Sequence, residues 1–157
     1  MKTADLVDEH DASVRLCDLP FRRFGRVGSF WGPIATVECF EDNALLKSML
    51  QEPGRGRVMV VDGGGSRRRA LIGDQIAARL KASGWTGIVI NGAIRDCAEI
   101  DAMEVGVFCL ATSPKKSAKA GTGRREVPVS FGGVEFRPGQ YAYCDADGVL
   151  VSDQRLL

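Results

Sequence analysis

Four ionisable residues in the middle of the sequence have side chains suited to work on a small anion. Asp74 follows Gly73 at the start of a helix-like stretch, twenty residues separate it from Arg95 and Asp96, and Glu99 lies three positions beyond. A helix N-terminus offers free amides and the positive end of the helix dipole, both of which favour anions. Arginine grips a carboxylate with two parallel hydrogen bonds, which lysine does less rigidly. Aspartate can anchor Mg²⁺ or Mn²⁺, ions that keep several waters and take one or two carboxylates. Together these groups suit a 2-oxoacid: Arg95 on its carboxylate, and a metal on Asp96 polarising the keto oxygen and stabilising an enolate. The same spacing also admits a plainer reading, in which Asp74 is only a helix cap and Arg95 and Asp96 only a surface pair.

Composition narrows the chemistry further. The 157 residues include a single histidine, His10, in an acidic N-terminal stretch (Asp5, Asp8, Glu9, Asp11). Paired-histidine metal sites are thereby excluded within one chain, a Ser-His-Asp triad would have to recruit His10, and we read that residue as surface. Carboxylates, arginines, backbone amides and an oxygen-bound hard metal remain. With 21 basic and 20 acidic residues the net charge is +1, which gives no electrostatic drive toward nucleic acid. The five cysteines (Cys17, Cys39, Cys97, Cys109, Cys144) are odd in number and never form CxxC, so neither a disulfide framework nor a zinc knuckle is implied. Cys39 and Cys109 sit in apolar runs and read as buried thiols. There is no apolar run long enough to span a membrane and no apolar N-terminal signal segment; the expected setting is the cytoplasm.

A second motif, Val61-Asp62-Gly63-Gly64-Gly65-Ser66, has the look of a nucleotide or S-adenosylmethionine loop after a strand. Its spacing fails: GxGxxG from Gly63 needs glycine where Arg68 stands, and no Gly-Lys-Ser/Thr follows. The run reads as a tight turn that lets backbone approach something closely, and Gly63 to Gly65, with Gly73, are expected to shape the loops around the crevice of Asp74 and Arg95. Clusters at Arg67, Arg68 and Arg69 and at Lys115, Lys116 and Lys119 read as solvated surface.

These residues need a scaffold, and the chain length suits one domain over residues 1–157. A short opening helix is expected with Thr3 as its N-cap, then an Arg-, Phe- and Gly-rich loop over 20–32 and a strand over 34–40. Asp42 or Asn43 caps a helix with Leu45, Leu46, Met49 and Leu50 on one face, stopped by Pro53-Gly54. Strands over 57–61, 87–90 (ending at Asn91-Gly92) and 107–111 alternate with helices from Gly73-Asp74 to Gly84 and near 98–103. That rhythm predicts parallel strands with right-handed crossovers, and ligands bind at their carboxyl ends. The basic stretch 113–125 reads as a mobile surface loop. Two hairpins come after it, 127–131 with 134–136 about Gly132-Gly133, and 141–144 with 149–152. The fold class is α/β: a compact α/β/β domain with a partly parallel sheet and C-terminal antiparallel hairpins.

Over nearly its whole length the chain resembles the RraA-like family: regulators of ribonuclease activity A together with class II 4-hydroxy-4-methyl-2-oxoglutarate aldolases, long mislabelled demethylmenaquinone methyltransferases. The resemblance is carried by Cys39-Phe40-Glu41-Asp42-Asn43, by residues 56–69 around the glycine run, by Gly92-Ala93-Ile94-Arg95-Asp96, and by Phe131-Gly132-Gly133-Val134. It implies a ring-shaped homotrimer with active sites near subunit interfaces. It further implies that Gly73, Asp74, Gln75 and Ile76 contact substrate, that Arg95 binds its carboxylate, and that Asp96 holds Mg²⁺ or Mn²⁺. The reactions implied are retro-aldol cleavage to pyruvate and decarboxylation of oxaloacetate, which share a pyruvate enolate. Family members that inhibit ribonuclease E can lack the aspartate matching Asp96, whereas this chain keeps Asp74, Arg95, Asp96 and Glu99, which favours a metal site. The alternative, favoured by similarity in length to the regulators, is a binding protein for ribonuclease E or its degradosome partners. Some larger aldolases add acidic groups from a C-terminal extension, whereas this sequence stops at Leu157. Arg67, Arg68 and Arg69 are candidates to hold a distal carboxylate or meet a partner.

Overall fold

The computed structural model describes residues 1–157. Alternation along the central strands explains the layering. In β4 (Val58–Asp62) Met59 and Val61 face one apolar core, while Val58 and Val60 face another. Side chains of a strand point alternately to its two faces, so a strand buried on both must be apolar throughout. β6 (Gly87–Ile94) is the extreme case, buried at every position.

Against the first face pack three helices: α2 (Ala44–Gln51), α3 (Asp74–Ala82) and α4 (Cys97–Asp101). They bring Leu46, Met49, Leu50, Ala77, Leu80 and Ile100 onto the sheet. The second face is closed by the hairpin β9 (Val129–Phe131) with β10 (Val134–Phe136), and by β11 (Tyr141–Asp145) with β12 (Gly148–Ser152). The result is the α/β/β arrangement: helices, a mixed sheet and an antiparallel β layer. No helix is long and apolar enough to cross a membrane.

The main sheet runs β1-β12-β11-β3-β4-β6-β7-β2, with β1 at Val14–Cys17, β2 at Arg22–Phe24, β3 at Phe30–Glu38 and β7 at Val107–Thr112. β3 joins its two halves. Phe30 to Pro33 pair antiparallel with β11, and Ile34 to Glu38 pair parallel with β4. The parallel block β3-β4-β6-β7 is the predicted one. β5 (Ala70–Ile72) lies parallel to the end of β6, and β8 (Arg124–Arg125) lies antiparallel to β3.

Several local expectations are corrected. Thr3 is not the cap of α1 (Thr3–His10): Lys2 holds that position without a side-chain bond. The Thr3 hydroxyl instead donates to Asp145 at 2.6 Å, and its amide donates to the other oxygen at 2.7 Å. The predicted loop 20–32 contains β2 and the start of β3. β6 does not stop at Asn91-Gly92; a register irregularity between Ile90 and Ala93 lets it continue to Ile94. β4 stops pairing at Asn91, but β5 takes its place from Ala93 and β7 pairs on to Ile94, so the glycine marks an irregularity rather than an end. Segment 113–125 is not a free loop. Bridges join Lys116 to Ala70 and Ala118 to Asp42, and β8 lies at its end. Cys39 and Cys109 are buried as expected, and that burial pushes both thiols up to about 12.

Candidate functional site

β5 and β6 are parallel neighbours that end together: Ala70 pairs with Ala93 and Ile72 with Ile94. The residues just past each strand are therefore placed side by side, Gly73 and Asp74 after one, Arg95 and Asp96 after the other. The Arg95 amide donates to the Ile72 carbonyl at 3.0 Å and fixes the junction. Asp96 then takes a left-handed backbone, φ 57° and ψ 44°, a conformation that aspartate tolerates better than most residues. The turn sends its carboxylate across to the start of α3, where Oδ2 accepts the Asp74 amide at 3.1 Å.

Gly73 makes this possible. It is the N-cap of α3 and has no side chain to cap with; a Cβ there would collide with Asp96 Oδ2. The cap is supplied from the neighbouring strand end, so Asp96 brings a negative charge to the positive end of α3. Its side chain remains 37% exposed, and Arg95 Nε stands 3.9 Å from the same Oδ2. Asp74 bonds the Gln75 amide at 2.8 Å through Oδ1.

All six predicted residues, Gly73, Asp74, Gln75, Ile76, Arg95 and Asp96, border one cleft of about 300 Å³. The plainer reading of Asp74 as the helix cap is corrected: Gly73 holds the N-cap position, Asp74 is the first residue of α3, and its amide is met by Asp96, which also borders the cleft. The other flagged groups lie elsewhere. Glu99 is exposed on α4 and does not line the cleft. Arg68 and Arg69 are drawn to Glu41, at 2.9 and 3.8 Å, and with Arg67 they stay outside it. The glycine run does not shape it either. Gly63 and Gly65 donate to the Asn91 carbonyl at 3.0 and 3.1 Å, and a Cβ at Gly63 would sit 2.8 Å from that oxygen. The close approach read from the sequence is to β6, not to a ligand.

Sequence reasoning missed the far side of the cleft. Asn43, the N-cap of α2, is followed at four-residue spacing by Lys47 and Gln51 on the helix, Arg79 comes from α3, and Lys116 and Lys119 come from the segment assigned to mobile surface. The i, i+4 polar stripe of α2, opposite its apolar face, was the available signal. Five cationic side chains (Lys47, Arg79, Arg95, Lys116, Lys119) thus surround two carboxylates. That excess of positive charge favours an anion in the cleft.

The donor set puts limits on a metal. Nowhere do three or more His, Cys, Asp or Glu side chains gather as an ion cage. A single carboxylate with its Oδ1 free of protein partners suits a hydrated Mg²⁺ or Mn²⁺ that takes further oxygens from a bound oxoacid. On that count Asp96 fits the ion, and a metal enclosed by protein ligands alone does not.

A family model described as RraA-like, Aldolase/RraA, matches residues 3–151. Among solved structures, one described as S-adenosylmethionine:2-dimethylmenaquinone methyltransferase from Geobacillus kaustophilus is 50% identical, with a TM-score of 0.98 over 99% of this chain and 97% of its own. The RNA-processing inhibitor RraA from Thermus thermophilus is 41% identical, with a TM-score of 0.96 over 100% of this chain and 95% of its own. Streptomyces coelicolor RraAS2, described as an unusual member of the RNase ES inhibitor RraA family, is 27% identical, with a TM-score of 0.77 over 95% of this chain and 77% of its own. With its fold, its motifs and nearly its full length matched, the chain belongs to the RraA-like family.

Proposed function

We propose that the protein is a divalent-metal-dependent lyase for small 2-oxoacids, a class II 4-hydroxy-4-methyl-2-oxoglutarate aldolase that also decarboxylates oxaloacetate. The observation that carries this reading is the junction of β5 and β6, which sets Arg95, Asp96 and Asp74 on one cation-rich cleft. Arg95 holds the carboxylate next to the keto group. The first amides of α3, around Gln75 and Ile76, favour the same negative charge. Asp96 would hold Mg²⁺ or Mn²⁺, which supplies Lewis-acid polarisation of the keto oxygen. In the aldol substrate the bond between C3 and C4 breaks, the 4-hydroxyl gives up its proton, and C3 leaves as the pyruvate enolate. Asp74 is the carboxylate at hand for that proton, since only its Oδ1 is engaged, by Gln75. In oxaloacetate the corresponding bond releases carbon dioxide and leaves the same enolate, which takes a proton at C3. The reading includes a cytoplasmic homotrimer.

The test is pyruvate release from both substrates with Mg²⁺ or Mn²⁺, compared with metal-only controls. Release that stops with chelator, with Arg95→Ala and with Asp96→Ala supports the reading; rates equal to the controls remove it. A second reading is favoured by the 41% identity to the RNA-processing inhibitor across the whole chain: a regulator that binds ribonuclease E without chemistry of its own. It requires a direct complex that slows ribonuclease E cleavage, and a pull-down and cleavage assay showing neither would eliminate it.

A further inference from the structure

The segment from Ser113 to Gly123 carries two of the cleft's cations yet buries only two side chains, Ser113 and Ser117. A stretch with so little apolar anchorage is ordinarily mobile. Here it is pegged by polar groups. Ser113 Oγ donates to the Arg68 carbonyl and Ser117 Oγ to the Ala70 carbonyl, each at 2.8 Å. Ala118 exchanges backbone bonds with Glu41 and Asn43. Beyond Lys119 the remaining peg is Asp42, whose carboxylate is 2% exposed and accepts the amides of Ala120 at 2.7 Å and Gly121 at 3.2 Å. Only one of its bonds, from Ala44 at 3.1 Å, serves α2.

A helix cap needs one acceptor, and serine or asparagine provides it without burying a charge. A buried carboxylate is costly unless its oxygens are filled, and Asp42 is filled mainly by the strap. A second observation lies beside it. Asn43 is 8% exposed and borders the cleft, and its Nδ2 is held by the Leu71 carbonyl at 3.1 Å. Its Oδ1 is the one buried side-chain polar atom in the protein without a hydrogen-bond partner. Such an orphan acceptor calls for a donor, an ordered water or a neighbouring ammonium, and not for a carboxylate oxygen.

We propose that Asp42 is a positioning residue for a second anion subsite: it fixes the strap so that Lys116 and Lys119, with Lys47 and Arg79, take the distal carboxylate of a 2-oxodicarboxylate whose proximal end rests on Arg95. This rests on the 2-oxoacid reading of the cleft. The strap selects for the second charge, and the β5–β6 junction selects for the first.

Calorimetry with Mg²⁺ present, using 2-oxoglutarate (two carboxylates) and pyruvate (one), tests it on the intact chain. Asp42→Asn is expected to weaken 2-oxoglutarate about tenfold, as loss of one charge-assisted contact would, with pyruvate unchanged within about twofold. Lys116→Ala with Lys119→Ala, which leaves Asp42 in place, is expected to do the same. Hydrogen exchange at Ala120 and Gly121 should quicken in Asp42→Asn and not in the lysine variant. Equal weakening of both ligands by Asp42→Asn, or wild-type discrimination by the lysine variant, overturns the proposal. Wild-type protein that binds pyruvate, but 2-oxoglutarate no more tightly, overturns the subsite and leaves the lyase reading standing. Wild-type protein that binds neither ligand removes both.

Discussion

Asp42 and Asp145 are buried carboxylates that meet the same physical problem in two regions of the fold. Each is almost inaccessible, at 2% and 8% exposure, and each fills its oxygens with hydrogen bonds from segments distant in sequence. Burial pushes both carboxyls up, but the bonds outweigh it. The amides of Ala44, Ala120, Gly121 and Thr122 leave Asp42 below the ordinary carboxylate value, and Thr3, Asp147 and Gly148 do so for Asp145. What they hold differs. Asp145 clamps α1, which is also held by Leu6 packed with Tyr143 and Leu150. Asp42 clamps a strap with no apolar anchor. Where a segment only covers the sheet, a polar clamp reinforces burial. Where it must present cations to water, the polar clamp replaces burial.

The largest effect expected separates the two regions by activity. Asp96→Asn or Arg95→Ala should lower pyruvate release from oxaloacetate by about 100-fold or more, comparable to losing a main electrostatic contact, with little change in Tm. Gly73→Ala should come next. Its methyl displaces the Asp96 carboxylate, so activity should fall about tenfold, alongside an overpacking cost of about 1–3 kcal/mol in denaturant unfolding. Thr3→Val should reverse the pattern, costing about 1–2 kcal/mol of stability with kcat unchanged; loss of activity there would erase the contrast. That stability gap should also depend on pH. Because the folded Asp145 titrates below its ordinary value, its contribution is complete above about pH 4. It drains away as pH falls through the lowered folded value, so wild type and Thr3→Val should converge in acid. The smallest effect is expected at Arg68→Ala. Its partner Glu41 is also bonded by Ser66, and the pair lies outside the cleft, so activity and Tm should both hold.

The parallel block and its carboxyl-end crevice were legible because apolar runs and glycine-bounded helices report directly on burial. Arg95, Asp96 and Asp74 were legible as chemistry, and the carboxyl-end rule for parallel strands put their two segments on one crevice. The strap was not. Residues 113–123 have the composition of a loop, and their order comes from Asp42, some seventy residues earlier, through bonds that no local pattern encodes. The short β5 and β8 escaped for a related reason: three- and two-residue strands owe their existence to a partner rather than to a periodicity. Thr3 was misread because a threonine before an apolar helix has the form of a cap, whereas its hydroxyl found a stronger, charged acceptor in Asp145.

The left-handed turn at Asp96 carries a consequence for how the site can be lost. At φ 57° few side chains sit without strain, and asparagine and glycine are among them. The two replacements that the backbone accepts most cheaply are thus the two that delete the carboxylate. On the lyase reading, chemistry in this scaffold is detachable: one substitution silences the cleft and leaves the architecture, and whatever that architecture binds, intact.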